Sequence, residues 1–114
     1  MSDKVLFWVG SSLSDVRAFP VEARRTVGYQ LRRVQQGLKP TDWKPMTTIG
    51  PGVTEIRVRG RLEHRVVYTS KFEEAVYVLH AFTKKTQRTR QSDLDLARDR
   101  LRAVEAERRN RKER

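Results

Sequence analysis

Residues 53–86 read VTEIRVRGRLEHRVVYTSKFEEAVYVLHAFTKKT, and this stretch decides the fold. From residue 53 to 59 apolar and polar residues alternate, which predicts a strand with one buried and one half-exposed face. Gly60 predicts a hairpin turn, and Arg65–Ser70 is typical of a second strand. A tight connection at Glu73 and Glu74 leads to a third strand, Ala75–Phe82. The pattern therefore predicts an antiparallel three-stranded meander.

Upstream, the short apolar run Val5–Val9 predicts a buried strand inside the sheet. The polar segment Ser11–Asp15 offers capping side chains for a first helix, and Pro20 suits the first turn of a second helix that ends near Gln36. The stretch Leu38–Gly52 contains three prolines and two glycines, so it is interpreted as a surface loop anchored by Trp43.

Downstream, Ser92 and Asp93 are suited to cap a final helix. Its apolar stripe consists of Leu94, Ala97, Leu101 and Val104. Residues 105–114 are almost wholly charged and are predicted to fray. The fold class is therefore α+β, with an N-terminal strand, two helices, an antiparallel three-stranded meander and a C-terminal helix. One domain is expected over residues 1–104, followed by the charged tail 105–114.

The charge balance indicates the kind of partner. Lys and Arg number 25 against 14 Asp and Glu, for a formal net charge of +11, which favours a polyanion. The chain has no cysteine, and its two histidines, His64 and His80, lack the spacing of a zinc site, so neither metal nor cofactor is expected. The run Val5–Val9 is too short for a signal sequence or a membrane span, so a cytoplasmic protein without membrane contact is expected.

Three segments together resemble one protein family. They are Glu55-Ile56-Arg57, His64-Arg65-Val66-Val67-Tyr68 and residues 78–86. In this order and spacing they resemble the RelE/ParE superfamily of bacterial toxins, and most closely its HigB-like, phage-derived host-inhibition branch. The resemblance covers about Phe7 to Leu101, and it identifies residues 1–104 as a RelE/HigB-like toxin domain.

That resemblance implies the toxin of a type II toxin–antitoxin pair, which cleaves messenger RNA on the ribosome without a metal. Its partner would be a cognate helix-turn-helix antitoxin protein. The ParE branch of the superfamily instead inhibits DNA gyrase, so the fold leaves that alternative open. A non-catalytic nucleic-acid-binding module is the third possibility.

Four residues are predicted to carry catalysis. Arg57, Arg65 and Lys84 match the positions where RelE-type nucleases hold cations around the scissile phosphate. Such cations stabilise the charge that builds on phosphorus when the neighbouring 2′-hydroxyl attacks. The alternative is that the arginines only solvate an exposed sheet. Glu55 is either a general base, if its pKa is raised, or a partner of Arg57.

A further set is predicted to bind RNA. The basic run after the last strand contributes Lys85, Arg88 and Arg90, and Arg59 extends the polar strand face. Tyr68 is interpreted as a stacking platform for a base or as core, and His80 as a half-buried side chain or an active-site group. No Tyr, His or Trp follows Phe82. RelE-type nucleases often use such a residue for proton transfer, so the general acid and base stay open.

Overall fold

Eight elements follow one another in a computed structural model that describes residues 3–112. They are β1 (Val5–Trp8), α1 (Ser12–Arg17), α2 (Val21–Gln35), β2 (Trp43–Pro45), β3 (Val53–Val58), β4 (Glu63–Thr69), β5 (Ala75–Lys84) and α3 (Gln91–Lys112). The strands form one mixed sheet in the order β1-β5-β4-β3-β2, in which only β1 and β5 run parallel. This α+β arrangement, with its meander and C-terminal helix, confirms the predicted fold class.

The helices cover the sheet from both sides. On one face, Val27 and Leu31 of α2 pack against Ile56, Val66 and Val78. On the other face, α3 packs Ala97, Leu101 and Val104 against a second apolar cluster that includes Val67 and Leu79. Full burial of one such aliphatic side chain contributes roughly 1.5–3 kcal/mol. The two clusters therefore hold the central strands rigidly between two helical layers.

Strand β1 lies at the edge of the sheet, not inside it as the sequence predicted. It pairs only with β5, where Val5 is opposite Ala75 and Trp8 opposite Val78. Val5 is 63% exposed and Phe7 54%, while the alternate residues of β1 pack into the core. A run of β-branched and aromatic residues gives the same pattern at the edge and in the centre of a sheet, and this explains the error.

The segment predicted as a loop contains a fourth strand of the meander. In β2, Trp43 pairs with Ile56 and Lys44 with Glu55, antiparallel to β3. Three residues are too few to show an alternating pattern, and Pro45 argued against a strand because it cannot donate a backbone hydrogen bond. At a sheet edge this missing donor is tolerated.

Strand β3 is more deeply buried than predicted. Of its six residues only Arg57 is partly exposed. The predicted alternation is still present in the chemistry, because Ile56 and Val58 join the cluster under α2 while Glu55 and Arg57 lie on the other face. On that second face Glu55 is covered by neighbouring charged side chains and has almost no contact with solvent.

The tail that was predicted to fray from residue 105 is helical instead. The helix continues to Lys112. Arg108 of α3 holds Glu74 with Nε–Oε2 and Nη2–Oε1 distances of 2.7 and 3.1 Å, and its guanidinium lies 4.0 Å from the ring centre of Phe72. These contacts fasten the last turns of the helix to the β4–β5 connection. Residues 113 and 114 of the predicted tail, like residues 1 and 2, lie outside the described residues.

Candidate functional site

A cluster of charged side chains occupies the α3 side of the sheet. At its centre is Arg65 of β4, which pairs across the sheet with Arg57 of β3 and Phe82 of β5. Arg65 is only 3% exposed. Its Nη2 donates a hydrogen bond of 2.6 Å to Oε2 of Glu63, and its Nε lies 3.5 Å from Oε1 of Glu55. Arg65 is thus a buried cation between two carboxylates.

The Arg65–Glu55 pair has unused hydrogen-bonding capacity. Glu55 is 1% exposed. Both of its carboxylate oxygens, together with Nε and Nη1 of Arg65, make no hydrogen bond to any residue between 3 and 112. Leaving such a buried group unsatisfied costs on the order of 1–3 kcal/mol, and more when it is charged. Such groups are few in native proteins, and a catalytic role is one of the reasons for which they are kept.

The environment of Glu55 also changes its acidity. Burial raises the pKa of Glu55 above its ordinary value of 4.5, and the charges of Arg65, Lys44, Lys84 and Arg57 offset this only in part. A carboxyl group with a raised pKa is better matched to proton transfer near neutral pH than an ordinary one. The arrangement suits Glu55 to accept a proton from a group held by the surrounding cations.

Arg57 and Arg59 both bind the carboxylate of Asp42, whereas Glu55 was the expected partner of Arg57. Nε of Arg57 lies 3.1 Å from Oδ1 of Asp42, and Nε of Arg59 lies 2.7 Å from Oδ2. Burial acts to raise the pKa of Asp42, but these two arginines outweigh it and the pKa is lowered. The predicted pairing of Glu55 with Arg57 is therefore corrected, because Arg65 is the ion-pair partner of Glu55.

Two members of this cluster were missed by sequence reasoning. Asp42 and Lys44 both fall in the segment interpreted as a loop, where no alternation marked either side chain as facing the sheet. The register of β2 places Lys44 directly opposite Glu55. The sequence offers one weak signal for them: both charged residues closely precede Pro45.

Lys84 and Lys85 occupy different environments. Lys84 is the last residue of β5, pairs with Glu63 and is partly buried, whereas Lys85 is exposed at the start of the connection to α3. Both line an open cleft of about 400 Å³ together with Glu63, Thr86 and Gln87. Arg88 and Arg90 are exposed on the same connection. The structure therefore brings the predicted basic run to the rim of the charged cluster.

Tyr68 does not belong to this site. It is 2% exposed and packs in the cluster under α2, on the opposite sheet face from Arg65. Burial raises the pKa of its hydroxyl to about 12. The interpretation of Tyr68 as a stacking platform is therefore replaced by the alternative, a core side chain.

His80 is buried rather than half-buried, at 5% exposure. Its Nε2 lies 2.7 Å from Oδ1 of Asp93, and its ring stacks on Phe82 with centroids 5.2 Å apart. Since Asp93 is in the first turn of α3, this contact fastens β5 to the start of that helix. These contacts with Asp93 and Phe82 give His80 a positioning role in the structure.

Between residues 3 and 112, no three His, Cys, Asp or Glu side chains group as ligands for a metal ion. Over the same residues, no helix is both long enough and apolar enough to span a bilayer.

Comparison with known proteins gives one result that bears on identity. No curated protein matches the chain. The profile of one protein family, described as Phage derived protein Gp49-like (DUF891), matches residues 14–102, which include β2 to β5 and every charged residue of the cluster. Because the match covers well over half of the chain, the protein belongs to this Gp49-like family, a phage-derived family of RelE/HigB-like toxins.

Proposed function

We propose that the protein is the toxin of a type II toxin–antitoxin system and acts as a metal-independent endoribonuclease on messenger RNA, in a ribosome-dependent manner. The observation that carries this proposal is the buried pair of Arg65 and Glu55, whose free nitrogen and oxygen atoms lie among further cations. Because both side chains are closed to solvent, the RNA displaces a covering side chain such as Glu63, which holds Arg65, as it binds. A phosphodiester then supplies the oxygen atoms that Arg65 lacks, and the neighbouring ribose 2′-hydroxyl supplies the proton donor that Glu55 lacks.

The reaction proceeds by attack of the ribose 2′-oxygen on the adjacent phosphorus. Glu55 accepts the 2′-hydroxyl proton as the 2′-O–P bond forms, and the P–O5′ bond then breaks. The leaving 5′-oxygen takes a proton from a water molecule, and the hydroxide so formed removes the proton from Glu55. The products are a 2′,3′-cyclic phosphate and a 5′-hydroxyl. Arg65 and Lys84 stabilise the pentacoordinate state, which carries more negative charge than the ground state.

The remaining cations hold the RNA chain. Lys85, Arg88 and Arg90 are exposed on one connection, and Arg59 has 58% of its side chain exposed in the β3–β4 hairpin. Contacts from such groups to phosphates release counterions, which gives binding that weakens as salt rises. Their role is to align the scissile bond over Arg65, and alignment by itself contributes to the rate.

The partner that silences the toxin is a cognate helix-turn-helix antitoxin. The Gp49-like family supports an antitoxin partner in general terms, and a net charge of +11 favours an acidic one. The site of action is the cytoplasm, where translated messenger RNA is present.

A second candidate function is inhibition of DNA gyrase in the manner of ParE. The observation that favours it is the low exposure of the central pair, 3% for Arg65 and 1% for Glu55, which is also what a purely structural ion pair would show. A toxin that acts by binding alone needs no reacting group at the surface. The same observation fits a nucleic-acid-binding module without catalytic activity.

Induction of the chain in bacteria, with mapping of RNA 5′ ends and of DNA breaks, separates these functions. We expect new RNA ends carrying 5′-hydroxyl groups, and their loss in Lys84→Ala. The matched control is Lys112→Ala, which removes an exposed lysine at the far end of α3 and should cleave as the parent does. DNA breaks with intact RNA would favour gyrase inhibition, and growth arrest with neither kind of damage would favour the binding module.

A further inference from the structure

Lys44 faces the candidate site from the side opposite to Lys84. It pairs with Glu55 across β2 and β3, and directly paired residues of antiparallel strands project their side chains from the same face, with Cβ atoms about 4.5–5.5 Å apart. Among the cations that act on Glu55, the charge of Lys44 ranks after that of Arg65 and before that of Lys84. Lys44 therefore lies beside the buried carboxylate.

The ammonium group of Lys44 has no protein partner within residues 3–112, where it makes neither a hydrogen bond nor an ion pair. Arg57 is held by Asp42, and Arg65 by Glu63. Lys44 is nevertheless only partly exposed, so solvent screens its charge less than that of a fully exposed lysine. A flexible ammonium in this position is suited to a phosphate, which it contacts as a point charge.

The sheet order determines the direction in which a ligand would run. Lys84 is on β5 and Lys44 on β2, and β4 and β3 lie between them with Arg65 and Glu55. Lys84 is level with Glu63, whereas Lys44 is level with Glu55 and Val67. Neighbouring strands are about 4.8 Å apart and residues rise about 3.4 Å each. The line from Lys84 to Lys44 is thus a diagonal across the face, long enough for several nucleotides.

We infer that a single RNA strand crosses the sheet along this diagonal and that Lys44 binds the phosphate on the β2 side of Glu55. This inference rests on the proposed function, because it assigns the path of the same substrate. It makes β2 a part of the binding surface and gives Lys44 two effects. Lys44 holds the strand, and it stabilises the ionised form of Glu55 that accepts the proton.

The test uses the full chain and a short single-stranded oligoribonucleotide with a 2′-deoxy group at the scissile position, which binds without being cleaved. In Lys44→Met we expect about tenfold weaker binding, as for loss of one charge-assisted contact. The slope of log affinity against log salt should fall by about 0.7. The Glu55 carboxyl, followed by NMR, should titrate at higher pH than in the parent.

Two variants provide controls. Lys39→Met removes a lysine whose Nζ lies 4.7 Å from the ring centre of Trp43. Trp43 pairs with Ile56 and so projects from the opposite face of β2 to Lys44, so this variant should change neither the slope nor the Glu55 titration. Lys44→Arg keeps the charge and should restore most of the affinity. Restoration of binding in Lys44→Arg would show that binding requires a positive charge at residue 44.

The outcomes separate this inference from the proposed function. Parental binding without any cleavage of the all-ribose oligonucleotide on ribosomes would remove the nuclease proposal and leave the RNA path standing. Equal binding and equal salt slopes in Lys44→Met and the parent would overturn the path. A Glu55 titration that does not move in Lys44→Met would overturn it as well, because it would show that Lys44 does not face Glu55.

Discussion

Nη2 of Arg65 donates a hydrogen bond of 2.6 Å to Oε2 of Glu63, a carboxylate that also lines the open cleft beside Lys84. A carboxylate and a phosphate compete for the same guanidinium donors. Glu63 therefore occupies a position on Arg65 that the proposed RNA ligand needs. We expect Glu63→Gln to bind single-stranded RNA about tenfold more tightly, since a hydrogen bond to a charged group contributes about 1.5–3 kcal/mol. Fluorescence anisotropy at fixed salt measures this change.

Glu73→Gln is the matched control for that variant. It removes the same charge from the exposed connection between β4 and β5, at the other end of β4 from Glu63. A gain in affinity of the same size in both variants would mean that net charge alone, and not the contact with Arg65, governs binding.

Arg65→Ala should destabilise the protein, because Glu55 would stay buried at 1% exposure without its main counter-charge. Removing one partner of a buried ion pair costs about 3–5 kcal/mol. Adding Glu55→Gln to Arg65→Ala should recover part of the loss, since no buried charge is then left. Denaturant unfolding of the two single variants, the double variant and the parent measures the coupling. Additive effects would show that the two side chains do not interact.

Glu55 should also give the stability of the protein a pH dependence of a definite sign. Its pKa in the folded state is raised above 4.5, so the folded protein binds a proton more readily than the unfolded chain does. The stability contributed by this group is fully present below pH 4.5 and is lost as the pH rises through the folded pKa. Glu55→Gln should lack this loss, and equal slopes of unfolding free energy against pH in variant and parent would contradict the assignment.

Mutation of Lys84 should change the cleavage rate, whereas mutation of Lys85 should change the salt dependence of binding. Lys84 is partly buried and acts on Glu55, whereas Lys85 is exposed. Lys84→Ala should lower the single-turnover cleavage rate by roughly 10²–10³-fold, as for loss of one donor to a developing charge. Lys85→Ala should instead reduce the salt slope of binding by about 0.7 and leave the saturated rate nearly unchanged. Cleavage of ribosome-bound message at several salt concentrations measures both, and equal rate losses would contradict this division.

Glu74→Gln should loosen the end of α3 without unfolding the domain. The hydrogen bonds from Arg108 are the largest influence on Glu74 and, against the opposing effect of burial, lower its pKa from 4.5 to about 2. The contact is therefore present above pH 4.5 and is lost as the pH falls towards 2. Because the pair is partly exposed, hydrogen-exchange protection over residues 105–112 should fall by at most about fivefold. Glu73→Gln, which has no such partner among the described ion pairs, should leave it unchanged.

The features that could be predicted from the sequence are those that depend on local periodicity and on charge. The alternation from Val53, the hairpin at Gly60 and the apolar stripe of α3 were sufficient for the meander and the last helix. The resemblance grouped Arg57 and Arg65 around one phosphate, and the register of β3 and β4 places the two residues opposite each other. Local periodicity failed for β1, because a strand of four residues gives no sign of how many neighbours it has.

Within the site, the errors arose from contacts that are distant in sequence. Arg57 binds Asp42, fifteen positions away, and not its neighbour Glu55. His80 contacts Asp93 across the whole connection between β5 and α3. Periodicity shows on which face of a strand a residue lies. It does not show which of the side chains on that face contact one another. Lys44 was missed for the related reason that a strand of three residues has no measurable period.

The parallel pairing of β1 with β5 has a consequence for the time at which the toxin can become complete. Val5 has no strand partner until Ala75 has been made. Lys44, Arg57 and Arg65 of the charged cluster are made between these two residues, and Lys84 is made after them. At a synthesis rate of about 5–20 residues per second, the first strand stays unpaired for roughly 4–14 s after it is made. Contacts between such remote positions also form slowly once both strands exist. During this interval the nascent chain lacks β5 and with it Lys84, so the charged cluster is incomplete until that last strand has been made.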